Sequence, residues 1–272
     1  LRVTTDVLRA EFSRERFAPP GNVWRDVNGD GVFGANEQII AATEGALLED
    51  AEGNRYSTAG APVTRLIIEE AGPVRTVVLA EGKFAGEAGQ SLGWRCRMYF
   101  TRGFAGIPTV FTLIGDEGQS IRPPTMTWIR SLELPVEFPV EMTATVGADE
   151  AEVAAIEAAQ QGMRLLHDYD NRYIVTRGDE REEHSGHTNA AVGLAWEDGG
   201  LRRSVAITIR DFWQLYPKAY SAEGTRLAAE IFPELPADVY AEHTDPKLLT
   251  MNYYWFRDGN YLVASGTEPT AD

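Results

Sequence analysis

The sequence contains a single cysteine, Cys96, which excludes an internal disulfide bond. It also has no apolar run that approaches the roughly 18 residues needed to cross a bilayer, so we predict no membrane insertion. No signal peptide is visible, and because the chain opens on Leu1 rather than methionine we expect residues upstream of it. Glycines and prolines are scattered rather than clustered, which favours many turns and few long helices.

Basic residues are also few: the sequence has 25 lysines and arginines but 41 aspartates and glutamates, which gives a formal charge of -16. Such a charge repels phosphate backbones and anionic membrane surfaces, and it argues against nucleic acid as a partner. The same charge is compatible with the capture of cations and with solubility outside the cell.

Period-two alternation of side chains is the strongest structural signal. In Trp94–Phe100 the residues Trp94, Cys96, Met98 and Phe100 share one face, which predicts a strand with a buried side. Cys96 is then a small core residue rather than a nucleophile. Similar runs occur at 75–80, 109–114, 132–138, 205–209, 252–256 and 261–264, and turn signals separate several of them.

These regularly spaced runs predict an all-β fold, a large antiparallel β-sandwich of the supersandwich-like kind. We find no low-complexity linker and no internal repeat, so the sequence predicts a single domain over residues 1–272. One segment differs. Asp149 can cap a short helix over about 150–161, with Glu152 as its capping-box partner and Gly162 at its end.

The segment Asp26–Glu37 matches the pattern D-x-[DN]-x-[DN]-G-x5-E at every defined position. Asp26, Asn28 and Asp30 would offer side-chain oxygens, Val32 its backbone carbonyl, and Glu37 both carboxylate oxygens, which is the ligand set of an EF-hand-like calcium loop. Pro19 and Pro20 exclude a helix leading into the loop. We therefore predict a structural Ca²⁺ site grafted between strands, with Phe33 anchoring the loop to the core. The alternative is a solvated turn without an ion.

Other groups give weaker signals. His184 and His187, preceded by Glu182 and Glu183, have the spacing of metal ligands, but no third ligand is evident and an exposed loop is the favoured interpretation. His167, His243, Arg210 and Lys218 are candidate acids or bases by residue type alone. No nucleophile elbow, phosphate loop or dinucleotide fingerprint is present.

Aromatic residues cluster at 212–216 and 253–256. Exposed rings of this kind can stack on the apolar face of a sugar, although alternate aromatics in a sandwich usually belong to the core. We take Arg210, Trp213, Tyr216 and Lys218 as candidate carbohydrate contacts.

The string Arg210–Lys218 (RDFWQLYPK) resembles a signature of the exo-rhamnogalacturonan lyase-like family. Three further stretches resemble family motifs: LEDAEGNRY at 48–56, EEAGPVR at 69–75 and FRDG at 256–259. All of these motifs follow the order that they have in the family. The resemblance implies the family's central β-sandwich, which follows a small barrel and precedes a helical toroid that carries most of the lyase chemistry. At the expected junction with the toroid, Pro269 and Ala271 replace a lysine and a histidine, and no catalytic residue carries over.

The sequence thus favours a secreted, calcium-stabilised, non-catalytic sandwich module at an extracellular or cell-surface location that supports or binds polysaccharide. One alternative is a self-associating structural subunit of an extracellular filament or surface layer. Another is a fragment of an active polysaccharide lyase acting on a rhamnogalacturonan-like substrate.

Overall fold

Runs of β-branched and aromatic residues form strands throughout the computed structural model, which describes residues 1–115, 126–138, 143–147, 162–198, 201–240, 255–264 and 270–271. In the first half of the chain the strands are β1 (Arg2–Thr4), β2 (Leu8–Glu11), β3 (Asn22–Arg25), β4 (Gln38–Ile40), β5 (Leu47–Asp50), β6 (Arg55–Ser57), β7 (Arg65–Ala71), β8 (Arg75–Gly86), β9 (Gly89–Thr101), β10 (Thr109–Ile114) and β11 (Met126–Glu137). In the second half they are β12 (Thr143–Gly147), β13 (Met163–Tyr169), β14 (Arg172–Arg177), β15 (Glu180–Ser185), β16 (Ala191–Asp198), β17 (Leu201–Thr208), β18 (Lys218–Glu223), β19 (Arg226–Phe232), β20 (Phe256–Arg257), β21 (Asn260–Ala264) and β22 (Thr270–Ala271).

These strands form three sheets in the described part of the chain. A four-stranded sheet has the order β1-β2-β3-β4, and a three-stranded sheet has the order β12-β16-β17. The large sheet runs β15-β14-β13-β18-β19-β11-β5-β6-β8-β9-β10-β22, with β7 paired to β8 and the β20–β21 hairpin paired to β11. Apart from a 3-10 turn at Ala35–Glu37, the described residues contain no helix. The predicted all-β sandwich is confirmed, and the predicted helix at about 150–161 lies outside the described residues.

The long β8–β9 hairpin shows how alternation builds the core. Along β9 every second side chain is buried, and the buried set contains Leu92, Trp94, Cys96, Met98 and Phe100. The strand predicted at 94–100 is therefore confirmed with the predicted face inward. Burying five such side chains removes enough apolar surface from water to hold this hairpin against the rest of the sandwich.

Aromatic rings connect the segment between β2 and β3 to the large sheet. Phe17 stacks on Trp94 with ring centroids 5.1 Å apart, and Trp94 in turn lies parallel to Phe111 at 6.4 Å. Phe12 meets Phe100 edge to face at 6.2 Å. The buried cluster that these rings belong to extends from Val3 to Val263. The prediction of one domain over residues 1–272 stays a prediction.

Two tight turns have positive φ angles, which glycine adopts more readily than other residues. Gly53 joins β5 to β6 with φ of +83°, and Asp258 and Gly259 join β20 to β21 with φ of +51° and +78°. Positive φ at both central residues is the geometry that the Asp-Gly pair predicts for a tight hairpin. No helix of the described residues is long and apolar enough to cross a membrane.

Burial of Cys96 leads to a chemical prediction. The side chain is fully enclosed, and burial raises the pKa of the thiol well above its ordinary value. Because only the thiolate is a good nucleophile, we expect iodoacetamide to leave the native protein unmodified and to alkylate it completely in urea. Mass spectrometry at successive times measures both rates. Alkylation of the native protein at the rate of a free cysteine would contradict the burial.

Candidate functional site

The loop predicted to bind calcium connects two neighbouring strands of the four-stranded sheet. Asp26 follows directly on β3, and Glu37 ends the 3-10 turn that precedes β4. Because β3 and β4 pair with each other, the two ends of the loop are held side by side. The Glu37 carboxylate accordingly reaches the start of the loop, where its Oε1 accepts a hydrogen bond from the Val27 N–H at 3.2 Å.

Asp26 organises the first half of the loop. Its Oδ1 accepts a hydrogen bond from the Gly29 N–H at 2.6 Å, and its Oδ2 accepts one from the Gly31 N–H at 2.9 Å. The Gly31 N–H contributes most to holding the pKa of the Asp26 carboxyl below its usual value, with help from Gly29. Gly29 and Gly31 have φ of +75° and +74°. Because residues with a side chain rarely adopt such angles, the coiled shape of the loop depends on these two glycines. Asp26 is thus kept ionised and in a fixed orientation.

The middle ligands are arranged by similar short-range bonds. Asn28 accepts a hydrogen bond from the Asp30 N–H at 2.9 Å, and Asp30 accepts one from the Val32 N–H at 2.7 Å. The Asn28 amide donates to the second oxygen of Asp30 at 3.0 Å. The Val32 side chain is 64% exposed, so this residue contributes little to packing and its predicted role rests on its carbonyl.

Glu37 closes the loop from a buried position. The residue is 2% exposed, and its Oε2 accepts a hydrogen bond from the Gly34 N–H at 2.9 Å while Oε1 is bonded to Val27. Asp26, Asn28, Asp30 and Glu37 supply only oxygen donors, a set that suits Ca²⁺. Within the described residues, no three histidine, cysteine or acidic side chains form a group that could hold a metal ion. Calcium binding would require these carboxylates to converge further, and it stays a prediction.

The prediction that Phe33 anchors the loop to the core is wrong. Phe33 was expected to pack into the core, but it is half-buried and lies 5.6 Å beneath the Arg9 guanidinium. The same guanidinium covers Trp24 at 4.1 Å. Arg9 therefore bridges Trp24 of β3 and Phe33 of the loop, and the loop is fastened to the sheet surface by cation–π contacts.

The RDFWQLYPK segment forms most of the connection between β17 and β18. Phe212 is fully buried and stacks on Tyr220 with a centroid distance of 4.7 Å. The Tyr220 hydroxyl accepts a hydrogen bond from the Ile209 N–H, which fixes the start of the connection. This part of the signature therefore has a structural role.

The four candidate carbohydrate contacts do not share one exposed surface. The Arg210 side chain is 72% exposed, whereas Trp213 is half-buried with one face covered by His187 at 3.9 Å. Tyr216 is half-buried against Tyr169. Lys218 is buried, its ammonium donates to the Pro217 carbonyl at 3.1 Å, and burial lowers its pKa to about 8. Arg210 is exposed and Trp213 and Tyr216 are half-buried, so these three residues, unlike Lys218, keep some surface that a polysaccharide can reach.

His184 and His187 pack against different aromatic rings. His184, in β15, stacks on Tyr173 at 4.8 Å, while His187 stacks on Trp213. Each imidazole thus has a stacking partner of its own, in keeping with the favoured interpretation of a surface segment.

Two residues that spacing alone did not connect lie opposite each other in the large sheet. His167 of β13 and Lys218 of β18 are directly paired across the strands. His167 is fully buried, and burial lowers its pKa to about 4. A buried neutral imidazole beside a buried lysine was not predictable, because the pairing of β13 with β18 joins segments about fifty residues apart.

A groove of about 610 Å³ lies on the large sheet where β5, β6, β11, β13 and β19 meet the segment after β19. Its charged lining consists of Glu49, Arg55, Glu133, Arg164, Glu230 and Glu234. Such a volume falls within the range of about 300–1,000 Å³ that is typical of small-molecule sites. The groove is not predictable from the sequence, because its lining comes largely from five strands whose order along the chain does not reveal their order in the sheet.

Ion pairs hold the groove side chains in place. Arg164 bonds Glu230 through Nε and Nη2, with the shortest contact at 2.7 Å, and also donates to the Glu234 carbonyl at 3.1 Å. Glu49 accepts from Arg55 at 3.0 Å and from Arg130 at 3.1 Å.

Glu133 lies opposite Glu230 on the neighbouring strand and is paired with Arg226. Burial, with repulsion from Glu230, raises the pKa of Glu133 although Arg226 opposes this. The groove therefore contains carboxylates that arginines hold in fixed orientations.

Comparison with protein families gives a match over the first half of the chain. The model of the PcRGLX-like protein central beta sandwich domain matches residues 1–145, more than half of the chain. The chain belongs to this family. No curated protein matches the sequence.

The matched range of this PcRGLX-like chain contains the four-stranded sheet, the loop 26–37 and the β8–β9 hairpin. The motifs at 48–56 and 69–75 lie within it, and those at 210–218 and 256–259 lie beyond it. The groove draws on both parts, since Glu49, Arg55 and Glu133 belong to the matched range and Arg164 and Glu230 follow it.

Proposed function

We propose that this PcRGLX-like chain is a calcium-stabilised sandwich module of an extracellular or cell-surface protein, and that it supports or binds polysaccharide. The observation that carries the proposal is the arrangement of the loop 26–37. Backbone N–H groups orient the carboxylates of Asp26 and Glu37 at its two ends, and the donor set contains only oxygen. An ion bound there would fasten the loop to β3 and β4.

Thermal unfolding tests the calcium part of this proposal. At a calcium concentration about tenfold above Kd, binding to the folded state alone adds roughly 1.4 kcal/mol. For a chain of this size we expect Tm in calcium to exceed Tm in excess EDTA by about 3 to 6 °C. The Glu37→Gln variant should lose most of this difference, because it removes the carboxylate charge that closes the site.

The matched control is Glu87→Gln, which removes one exposed carboxylate in the β8–β9 turn, far along the chain from the loop. It should keep the full calcium response, and magnesium at the same concentration should give a smaller one. An identical melting curve in calcium and in EDTA would refute the calcium part of the proposal.

The edge strand β7 of the large sheet gives little support to assembly into a filament. Within the described residues β7 pairs only with β8, so it is an edge strand. The strand carries a bulge between Ile68 and Glu70 and two exposed glutamates, Glu69 and Glu70. Bulges and charges on an edge hinder the addition of a strand from another molecule. We therefore favour the polysaccharide-associated module over self-association.

A further inference from the structure

The groove lining contains four glutamates and two arginines, Arg55 and Arg164, and two arginines outside the lining, Arg130 and Arg226, pair with Glu49 and Glu133. Glu49 is paired with Arg55 and Arg130, Glu230 with Arg164, and Glu133 with Arg226. A strongly anionic ligand would have to approach carboxylates that these arginines already neutralise, on a chain that carries a formal charge of -16. This favours an uncharged ligand over a polyuronate.

The lining also presents hydrogen-bond donors and acceptors together. Arg164 uses Nε and Nη2 on Glu230 and Glu234, and its Nη1 is not used in these bonds. Each ionised glutamate has two acceptor oxygens with about four lone-pair sites, more than its arginine partner occupies. A hydroxyl group both donates and accepts, so a polyhydroxylated ligand can bond to both kinds of group at once.

An apolar wall completes the groove. Leu47, Phe232, Leu235 and Pro236 line it beside the charged residues. Phe232 is held in place by Tyr261, whose ring centroid lies 5.1 Å from its own. A pyranose has hydroxyls on its rim and an apolar C–H face, and it fits a surface with this combination of polar and aromatic groups.

We propose that the groove between β5, β6, β11, β13 and β19 binds a neutral saccharide, with Arg55, Arg164 and the glutamates contacting its hydroxyls and Phe232 contacting a ring face. This inference deepens the polysaccharide-binding role proposed above and moves it away from Arg210 and Trp213. It does not depend on the calcium loop.

The test uses the full chain. A printed array of neutral and uronate-containing glycans identifies the best neutral oligosaccharide, and isothermal titration calorimetry measures its Kd together with that of an oligogalacturonate of the same length. We expect the neutral oligosaccharide to bind at least tenfold more tightly than the oligogalacturonate.

Two groove variants then locate the site. Arg164→Ala should raise the Kd of the neutral oligosaccharide at least tenfold, and Arg55→Ala should raise it severalfold. The Arg55 side chain is 86% exposed, so its removal carries little risk to folding, which circular dichroism verifies for both. Arg181→Ala is the control, because Arg181 is also exposed and also paired with a glutamate but lies on β15.

Three results would overturn the proposal: no neutral glycan bound on the array, tighter binding of the oligogalacturonate, or groove variants with unchanged affinity. The Glu37→Gln variant separates this outcome from failure of the calcium proposal. It should lose the calcium response but keep saccharide binding at temperatures below its Tm.

Discussion

Replacing Trp94 by alanine should lower the free energy of unfolding by about 3 to 5 kcal/mol, the range for deleting a large aromatic side chain from a packed core. Trp94 is 1% exposed and lies between Phe17 and Phe111. On its third side Gly82 packs so closely that a Cβ there would come within 2.7 Å of the indole ring. Because Gly82, paired with Trp94 across the strands, has no side chain to move into the space, part of the cavity should stay unfilled.

Urea unfolding followed by far-UV circular dichroism measures this effect. Trp255→Ala is the matched control, since Trp255 is 53% exposed and its removal should change stability by less than about 0.5 kcal/mol. Trp94→Phe should cost less than Trp94→Ala, because it keeps a ring and removes an indole N–H that has no hydrogen-bond partner among the described residues. A Trp94→Ala variant that loses under 1 kcal/mol would show that the aromatic stack contributes little to stability.

Sequence periodicity predicted the strands around Trp94 because the pattern is local. A strand with one buried face needs an apolar side chain at every second position, and this requirement can be read from seven consecutive residues. The order of strands in the sheet is set instead by contacts between distant segments. β11 lies between β5 and β19, which precede and follow it by many residues, and nothing in its alternation specifies these neighbours.

The same difference between local and long-range contacts explains which candidate site could be predicted from the sequence. The loop 26–37 was found from sequence because all its predicted ligands lie within twelve residues, and their hydrogen bonds join near neighbours. The groove could not be found, because Glu133 and Glu230 become adjacent only when β11 pairs with β19. Phe33 shows the limit of the local pattern. Its position in the loop predicted burial in the core, but the Phe33 ring lies 5.6 Å from the guanidinium of Arg9 on β2 instead.

A polyuronate would need unpaired arginines on the surface of this acidic protein to overcome charge repulsion, and β9 carries two outward-facing arginines, Arg95 and Arg97. Arg95 instead pairs with Glu81 and Arg97 with Glu69, each at 2.7 Å. Their side chains are 22 to 36% exposed, and ion pairs that water still reaches contribute about 0 to 1 kcal/mol each to stability. They also neutralise the positive charge that an anionic polysaccharide would need. The outer face of β8 and β9 therefore gives no support to uronate binding, which agrees with the preference inferred for the groove.

Lowering the pH from 7.5 to 4.5 should cost the folded protein about 2 to 3 kcal/mol through His167 alone. Neither ring nitrogen of this buried imidazole makes a well-formed hydrogen bond to a described residue, and burial lowers its pKa from 6.5 to about 4. Between these two values the unfolded chain binds a proton that the folded protein does not bind. Stability conferred by the neutral imidazole is therefore fully present above about pH 6.5 and is lost as the pH falls towards 4.

The groups around His167 have opposing effects on its pKa. The carboxylates of Asp168 and Asp170 favour its protonation, whereas His187 and the burial of the ring oppose it, burial being the largest effect. Lys218, directly opposite on β18, adds a second buried basic group. With its pKa lowered to about 8, Lys218 should make the folded protein more stable as the pH rises from 8 towards 10.5, because the unfolded chain keeps its proton longer.

Comparison of pH profiles isolates the His167 contribution from that of the many carboxylates. The difference in unfolding free energy between pH 7.5 and pH 4.5 should be about 2 to 3 kcal/mol smaller in His167→Leu than in the parent protein, whatever the variant's stability at neutral pH. His184→Leu removes a half-buried imidazole that stacks on Tyr173, and it should leave the difference nearly unchanged. If the His167→Leu profile is as steep as that of the parent, the buried imidazole is not the group that makes this sandwich acid-sensitive.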